Sequence, residues 1–283
     1  MTGDIGRPKL GYYDRGATPF IASRSDQRVS YCLYVPTSYS DDANDSYDLV
    51  VIVHGTERGA SDYRNLFSQF CEDNRCIVLA PLFACNLFGV GDLDNYKLLA
   101  SNGVRFDLLL LDMIEEVREK YRVSDKFFMQ GFSGGGHFTH RFLYLYPELL
   151  AGASIGAPGV VTLLDDTLPW WVGTGGMDAV FGREIDITRI REVPIQMVVG
   201  TNDRETWEIT VAEDTPWWIP GINDSGVTRI DRLTSLRKSF EDNGIAVRFD
   251  FVEGIAHDGV AVLDTVRAFF LDTLLAVRGK AAA

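Results

Sequence analysis

KFFMQGFSGGGHFTHRFLYLY, residues 126–146, is the stretch whose reading decides the fold. KFFMQGFS (126–133) reads as a buried strand, and GGHFTHRFLYLY (135–146) as a helix stopped by Pro147. Between them, Gly131-Phe132-Ser133-Gly134-Gly135 matches the pattern G-x-S-x-G. A serine on the turn between a strand and the following helix sits in a strained conformation. It needs small neighbours because the backbone passes close to adjacent elements. The turn pushes the hydroxyl beyond the sheet, where the helix N-terminus favours developing negative charge. Glycine and serine are common, so the five residues alone say little; the apolar strand before them and the periodic helix after them make the signal specific. Ser133 is thus the expected nucleophile. A phosphate-cradling loop is a poorer reading, since the chain has no GxxxxGK[ST] and no GxGxxG after its first strand.

Outward from this turn, short β-branched runs alternate with amphipathic stretches of helical length, which predicts an α/β class with a mostly parallel sheet. RVSYCLYVP (28–36) reads as an antiparallel strand near the edge, DLVVIVHG (48–55) as a buried central strand, and CIVLAPLF (76–83) as the next. SDYRNLFSQFCEDN (61–74) reads as a helix capped by Ser61, and residues 104–123 as the clearest amphipathic helix. LAGASIGAP, PIQMVVG and AVRFDFVEG supply three more strands, with helices expected near 228–243 and 259–277. No repeat, linker or break in composition divides the chain, so one domain over 1–283 is expected, with 160–192 and 204–228 as cap or pocket-wall segments.

The 283 residues carry a formal net charge of −13. Phosphate backbones require a basic footprint, so the charge argues against nucleic acid as a partner. The same acidity points weakly against strongly anionic substrates. No apolar run reaches membrane-spanning length, and no signal-peptide core is visible in MTGDIGRPKLGYYDRG. Cys32, Cys71, Cys76 and Cys85 lack paired CxxC spacing, which argues against zinc. Reduced thiols and a cytoplasmic location are expected, with a Cys71–Cys76 bridge as the alternative for an exported protein. The pattern calls for neither metal nor cofactor.

A serine nucleophile needs a base, the base an orienting acid, and the oxyanion donors. Of the four histidines, His54 ends the central strand, and His137 and His140 lie on the helix after Ser133. Only His257, in GIAHDG, comes late enough for the chain order Ser…Asp…His that accompanies such an elbow. Asp203, directly after the apolar run of MVVGTNDRET, is the expected acid; Glu205 is its nearest competitor and Asp178 falls too early. Oxyanion donors are expected from the backbone N–H groups of Gly134 and Thr56. His54 is read as a structural residue of the His54-Gly55-Thr56 loop. HFTHR is not HExxH, so His137 and His140 are helix residues, with one of them, His137, near the pocket floor.

With VIVHGT, EKYRVSDKFFMQGFSGGGHFT, VVGTNDRET and GIAHDG in place, the sequence resembles the α/β-hydrolase superfamily, and most closely its polyhydroxybutyrate-depolymerase-like and feruloyl-esterase-like serine esterases. The resemblance spans roughly 48–260. It implies an eight-stranded, mostly parallel sheet and a triad of Ser133, Asp203 and His257. The chain departs from secreted members of that branch in its lack of a visible signal peptide and in the length of 204–228. All five tryptophans, Trp170, Trp171, Trp207, Trp217 and Trp218, fall in the two wall segments, where they are expected to line a pocket for an apolar or aromatic ester. Glu205, Glu208, Glu213 and Asp214 hint at neutral or cationic substrates. The leading expectation is a carboxylic-ester hydrolase. The same triad acting on an amide, carbamate, lactone or carbon–carbon bond, or in acyl transfer, is the second. An inactive binding protein on the same fold is the third.

Overall fold

The computed structural model describes residues 9–40 and 46–281. Residues 1–8, the start of the segment read for a signal peptide, lie outside them. The chain forms β1 (Gly16–Ala17), β2 (Ile21–Ala22), β3 (Ser30–Val35) and β4 (Tyr47–Val53), then helices α1 (Ala60–Leu66) and α2 (Ser68–Asn74). β5 (Cys76–Leu82), the short hairpin β6 (Ala100–Ser101) and β7 (Val104–Arg105), and α3 (Phe106–Lys120) follow. Next come β8 (Val123–Phe132), α4 (Gly134–Leu145), β9 (Leu150–Gly156), and the short helices α5 (Met177–Phe181) and α6 (Ile187–Ile190). β10 (Ile195–Gly200), α7 (Arg229–Asp242), β11 (Arg248–Val252) and α8 (Leu263–Ala281) complete the described chain.

Eight strands lie on one path in the order β1-β3-β5-β4-β8-β9-β10-β11, and the two-residue β2 pairs with β3 as a ninth. β5, β4, β8, β9, β10 and β11 run parallel, while β3 is antiparallel to β5 and to the two short edge strands. Leu49–Val53 have no exposed surface because helices cover both faces of a parallel sheet. This is the expected mostly parallel, helix-flanked architecture. Two local readings change. The predicted 61–74 helix breaks at buried Phe67 into α1 and α2, and Gly59 rather than Ser61 precedes it, without a side-chain cap. The 104–123 helix begins at Phe106 because Val104 and Arg105 pair with Ala100 and Ser101.

The strand order positions the site. The chain steps from β4 outward to β5, then returns to the other side of β4 as β8. The crevice beyond the carboxyl ends of β4 and β8 is therefore a topological switch point, where open α/β sheets bind ligands. β4 delivers His54-Gly55-Thr56 there and β8 delivers Ser133; β10 and β11 lead into the loops of Asp203 and His257. The two wall segments pack on each other through a small apolar cluster of Val160, Val172, Val211 and Ile222, against which Leu168, Trp171, Trp217, Trp218 and Ile219 rest. Cys71 and Cys76 are separate buried thiols, as is Cys32; Cys85 is exposed. Among the described residues no helix is long and apolar enough to cross a membrane.

Candidate active site

Ser133 occupies the N-cap of α4 with φ 56° and ψ −118°, a conformation disfavoured for any residue but glycine. The surrounding hydrogen bonds hold it there: its N–H donates to Gly156 O at 2.8 Å, and its carbonyl accepts from His137 N at 3.1 Å. The glycine before it is required by space. A Cβ on Gly131 would run into the backbone carbonyl of Gly135, so β8 and α4 can meet this closely only without a side chain. On the other side of the turn, a Cβ placed on Gly134 would lie 3.2 Å from Thr56 N. The backbones of Gly134 and Thr56 thus approach closely beside Ser133, and neither N–H donates to an acceptor among the described residues.

Asp203 follows β10 and is 1% exposed. Its Oδ2 lies 2.6 Å from His257 Nδ1, and its Oδ1 accepts from Arg229 Nη1 at 3.2 Å. The carboxylate therefore holds the proton on His257 Nδ1 and leaves Nε2 with its lone pair. The His257 ring lies over Phe132, the residue before Ser133, with centroids 4.8 Å apart. The Ser133 hydroxyl makes no hydrogen bond among the described residues. Such contacts commonly tighten only around a bound substrate. Arg229, on the first turn of α7, is also buried and pairs with Glu208 through Nη2.

The other histidines are neutral and locked. His54 Nε2 accepts from Phe83 N at 3.1 Å and its Nδ1 lies 2.7 Å from Gly55 O; burial pushes its pKa down to about 3. His140 Nε2 accepts from Thr162 N at 3.1 Å, with Nδ1 2.7 Å from Gly136 O. His137 Nε2 accepts two backbone donors, Gly159 N at 2.9 Å and Val160 N at 3.1 Å. Burial, then the charges of Arg141 and Lys97, hold His137 well below the usual histidine range.

Thr56, Ser133 and His137 line a cavity of about 550 Å³ that also touches Leu93, Lys97, Arg141, Ile209, Trp171 and Trp217. Gly134, Asp203 and His257 are not among the residues that line it. Only two of the five tryptophans reach it. Trp170 packs edge-on against Phe181, 5.2 Å away, because the small helix α5 fills the space beneath it. Trp218 belongs to the apolar cluster between the wall segments, and Trp207 is 76% exposed to solvent. A wider acidic groove of about 860 Å³, lined by Asp165, Asp166, Asp178 and Glu184 among others, holds no other predicted site residue. Among the described residues no group of three or more His, Cys, Asp or Glu is placed to hold a metal ion.

Sequence reasoning missed Arg229 and Arg141. Nothing in the local pattern couples Arg229 to Asp203, since the pairing is made by α7 packing across β10. Arg141 did carry a signal: it is the lone fixed charge in the otherwise apolar or neutral GGGHFTHRFLYL, with no acid three or four residues away.

No family model matches the sequence, and no curated protein matches it. Solved structures do. The poly(3-hydroxybutyrate) depolymerase LpqC from Bordetella parapertussis superposes with a TM-score of 0.71 at 19% identity, over 91% of this chain and 89% of that one. Poly(aspartic acid) hydrolase-1 from Sphingomonas sp. KT-1 gives 0.67 at 20% identity, over 85% and 92%. A ferulic acid esterase gives 0.58 at 13% identity, over 92% and 99%. The chain has the α/β-hydrolase fold.

Proposed function

We propose that the protein is a serine hydrolase that cleaves carboxylic esters through an acyl-enzyme intermediate. The observation that carries the proposal is the 2.6 Å His257–Asp203 pair, which lies over Phe132 while Ser133, the next residue, is held in a strained conformation at the head of α4. In this reading His257 Nε2 takes the Ser133 hydroxyl proton as Oγ attacks the ester carbonyl. The N–H groups of Thr56 and Gly134 receive the oxyanion. His257 then protonates the departing alcohol, and water, deprotonated by the same nitrogen, releases the acid. Asp203 keeps the Nδ1–H tautomer and stabilises the imidazolium, and Arg229 holds Asp203. Trp171, Trp217 and Ile209 supply the apolar wall for a small-molecule ester. The names of the structural neighbours, a polyester depolymerase and a ferulic acid esterase among them, agree with an ester bond. Buried, unbonded thiols at Cys32, Cys71 and Cys76 suit a reducing compartment such as the cytoplasm.

A fluorophosphonate should modify Ser133 and no other serine, and Ser133→Ala should be inert towards both the probe and esters. A folded wild-type protein that resists the probe would overturn the proposal. Matched ester and amide panels then fix the bond.

A further inference from the structure

The floor of the cavity has donors without acceptors. Arg141 is fully buried, yet no carboxylate pairs with it. Its Nε donates to Thr162 Oγ1 at 2.8 Å and its Nη1 to Lys97 O at 2.6 Å, while Nη2 has no partner. Burial pushes its pKa down to about 9, so the guanidinium stays charged at neutral pH. His137 adds a second unanswered donor. Because its Nε2 accepts two backbone N–H groups, the neutral ring must carry its proton on Nδ1. That Nδ1 lies 3.4 Å from Arg141 Nη1, donor facing donor. A buried charge and a buried N–H left facing one another are costly unless an acceptor joins them. Both residues line the cavity that contains Ser133, and the other lining cations are already engaged: Lys97 with Asp94 at 2.5 Å, and Arg229 with Asp203 and Glu208. Asp92, the remaining lining acid, accepts from Asn95 Nδ2 at 3.0 Å and Phe88 N at 3.4 Å.

We infer that Arg141 and the Nδ1–H of His137 form a carboxylate subsite, so that the preferred substrate is an ester bearing a second, free carboxylate. The inference rests on the hydrolase reading above and names the substrate class of that site. One guanidinium without a carboxylate partner, flanked by one N–H, matches a monoanion such as a carboxylate, whereas a phosphate dianion would call for more donors. Ser133, His137 and Arg141 recur every four residues on one side of α4. Helical side chains lean towards the N-terminus, which brings the guanidinium level with His137, roughly 6 Å along the axis from Ser133. The carboxylate and the scissile carbonyl should thus be separated by about three to five methylenes.

The test pairs anionic esters with neutral ones of the same length: ethyl hydrogen glutarate against ethyl pentanoate for the acyl side, and 4-acetoxybutanoate against butyl acetate for the alcohol side. In wild type the anionic member of at least one pair should have kcat/KM higher by about 30-fold, the range of a charge-assisted bond. Arg141→Met should bring that ratio near unity and Arg141→Lys should restore part of it. A purely structural arginine would lower both members together and leave the ratio standing. Direct binding is read in Ser133→Ala by calorimetry: glutarate should bind about 30-fold more tightly than dimethyl glutarate, and the added Arg141→Met should abolish the difference. Equal rates within both pairs in a protein that labels at Ser133, a ratio untouched by Arg141→Met, or no distinction between glutarate and its diester would each overturn the subsite. If the probe fails to label, the hydrolase reading falls, and calorimetry still decides whether the subsite exists.

Discussion

Replacing Asp203 by Asn tests the proposed triad at its most buried member. The substitution keeps the shape and removes the charge. In the native protein Oδ2 faces His257 Nδ1 at 2.6 Å and Oδ1 faces Arg229 Nη1 at 3.2 Å, so both carboxylate oxygens accept. An amide has one acceptor. If the amide oxygen turns to Arg229, its NH2 faces His257 and forces Nδ1 to accept, which moves the ring proton to Nε2. That nitrogen can then no longer take a proton from Ser133. If the oxygen turns to His257, two donors meet at Arg229, which is itself buried. The first arrangement should win, because it keeps the buried guanidinium solvated by an acceptor. We therefore expect kcat to fall by about 10⁴-fold, equivalent to ~5.5 kcal/mol of transition-state stabilisation. Loss of the buried charge next to Arg229 should also destabilise the fold, by about 3 kcal/mol. Steady-state ester hydrolysis and a urea titration of the same preparation read the two effects separately. Glu205→Gln, an exposed residue two positions on, serves as the control and should stay within about twofold. Retention of more than about a tenth of wild-type kcat by Asp203→Asn would refute the assignment of the acid, as would a comparable loss in the Glu205 variant.

Two further outcomes follow from the packing. His54 titrates near 3 in the folded protein and near 6.5 when unfolded, so the unfolded chain binds the extra proton first as the pH falls. Stability is full above the unfolded value and declines below it, by about 2 kcal/mol for His54 alone between pH 7.5 and 5. Burial lowers His137 and His140 as well, and they act in the same direction. A urea midpoint at 0.3 M salt that stays level or rises on acidification would contradict this picture. Gly131→Ala places a methyl group against the Gly135 backbone, which cannot rotate away, so the midpoint should drop by the equivalent of about 3 kcal/mol or more, with loss of activity. Near-native stability in that variant would mean that β8 and α4 can separate without cost.

The α/β class was legible because hydrophobic periodicity is local: the strand–serine–helix stretch around Ser133 needs no tertiary information to be read. Strand order was not local, so the crevice between β4 and β8 was not legible; the resemblance implied an eight-stranded, mostly parallel sheet and the triad without placing that crevice. Helix ends were less legible still. The hairpin before α3 depends on Ala100 and Ser101 pairing with Val104 and Arg105, a contact with no marker in the periodicity. Tryptophan position was legible only to the level of segment, since the same aromatic can line a cavity, as Trp171 does, or seal a loop, as Trp218 does.

Charge is where composition and structure diverge most. A net charge of −13 and the acids of 204–228 point away from anionic substrates. The field inside a cavity, however, is set by which charges remain unpaired within a few ångströms, and distant surface acids are screened by solvent. Glu208 is tied to Arg229, and Asp94 to Lys97, so neither offers the cavity a free negative charge. Of the remaining lining charges, Asp92 accepts only from the neutral donors Asn95 Nδ2 and Phe88 N, and Arg141, which has no carboxylate partner, lies on the same side of the helix as Ser133 and His137. An acidic protein can thus hold one cationic floor beside its proposed nucleophile. The surplus acids outside would slow the approach of an anionic ester, so its kcat/KM should rise as salt screens them, while the ester stays short enough for its carboxylate to reach Arg141.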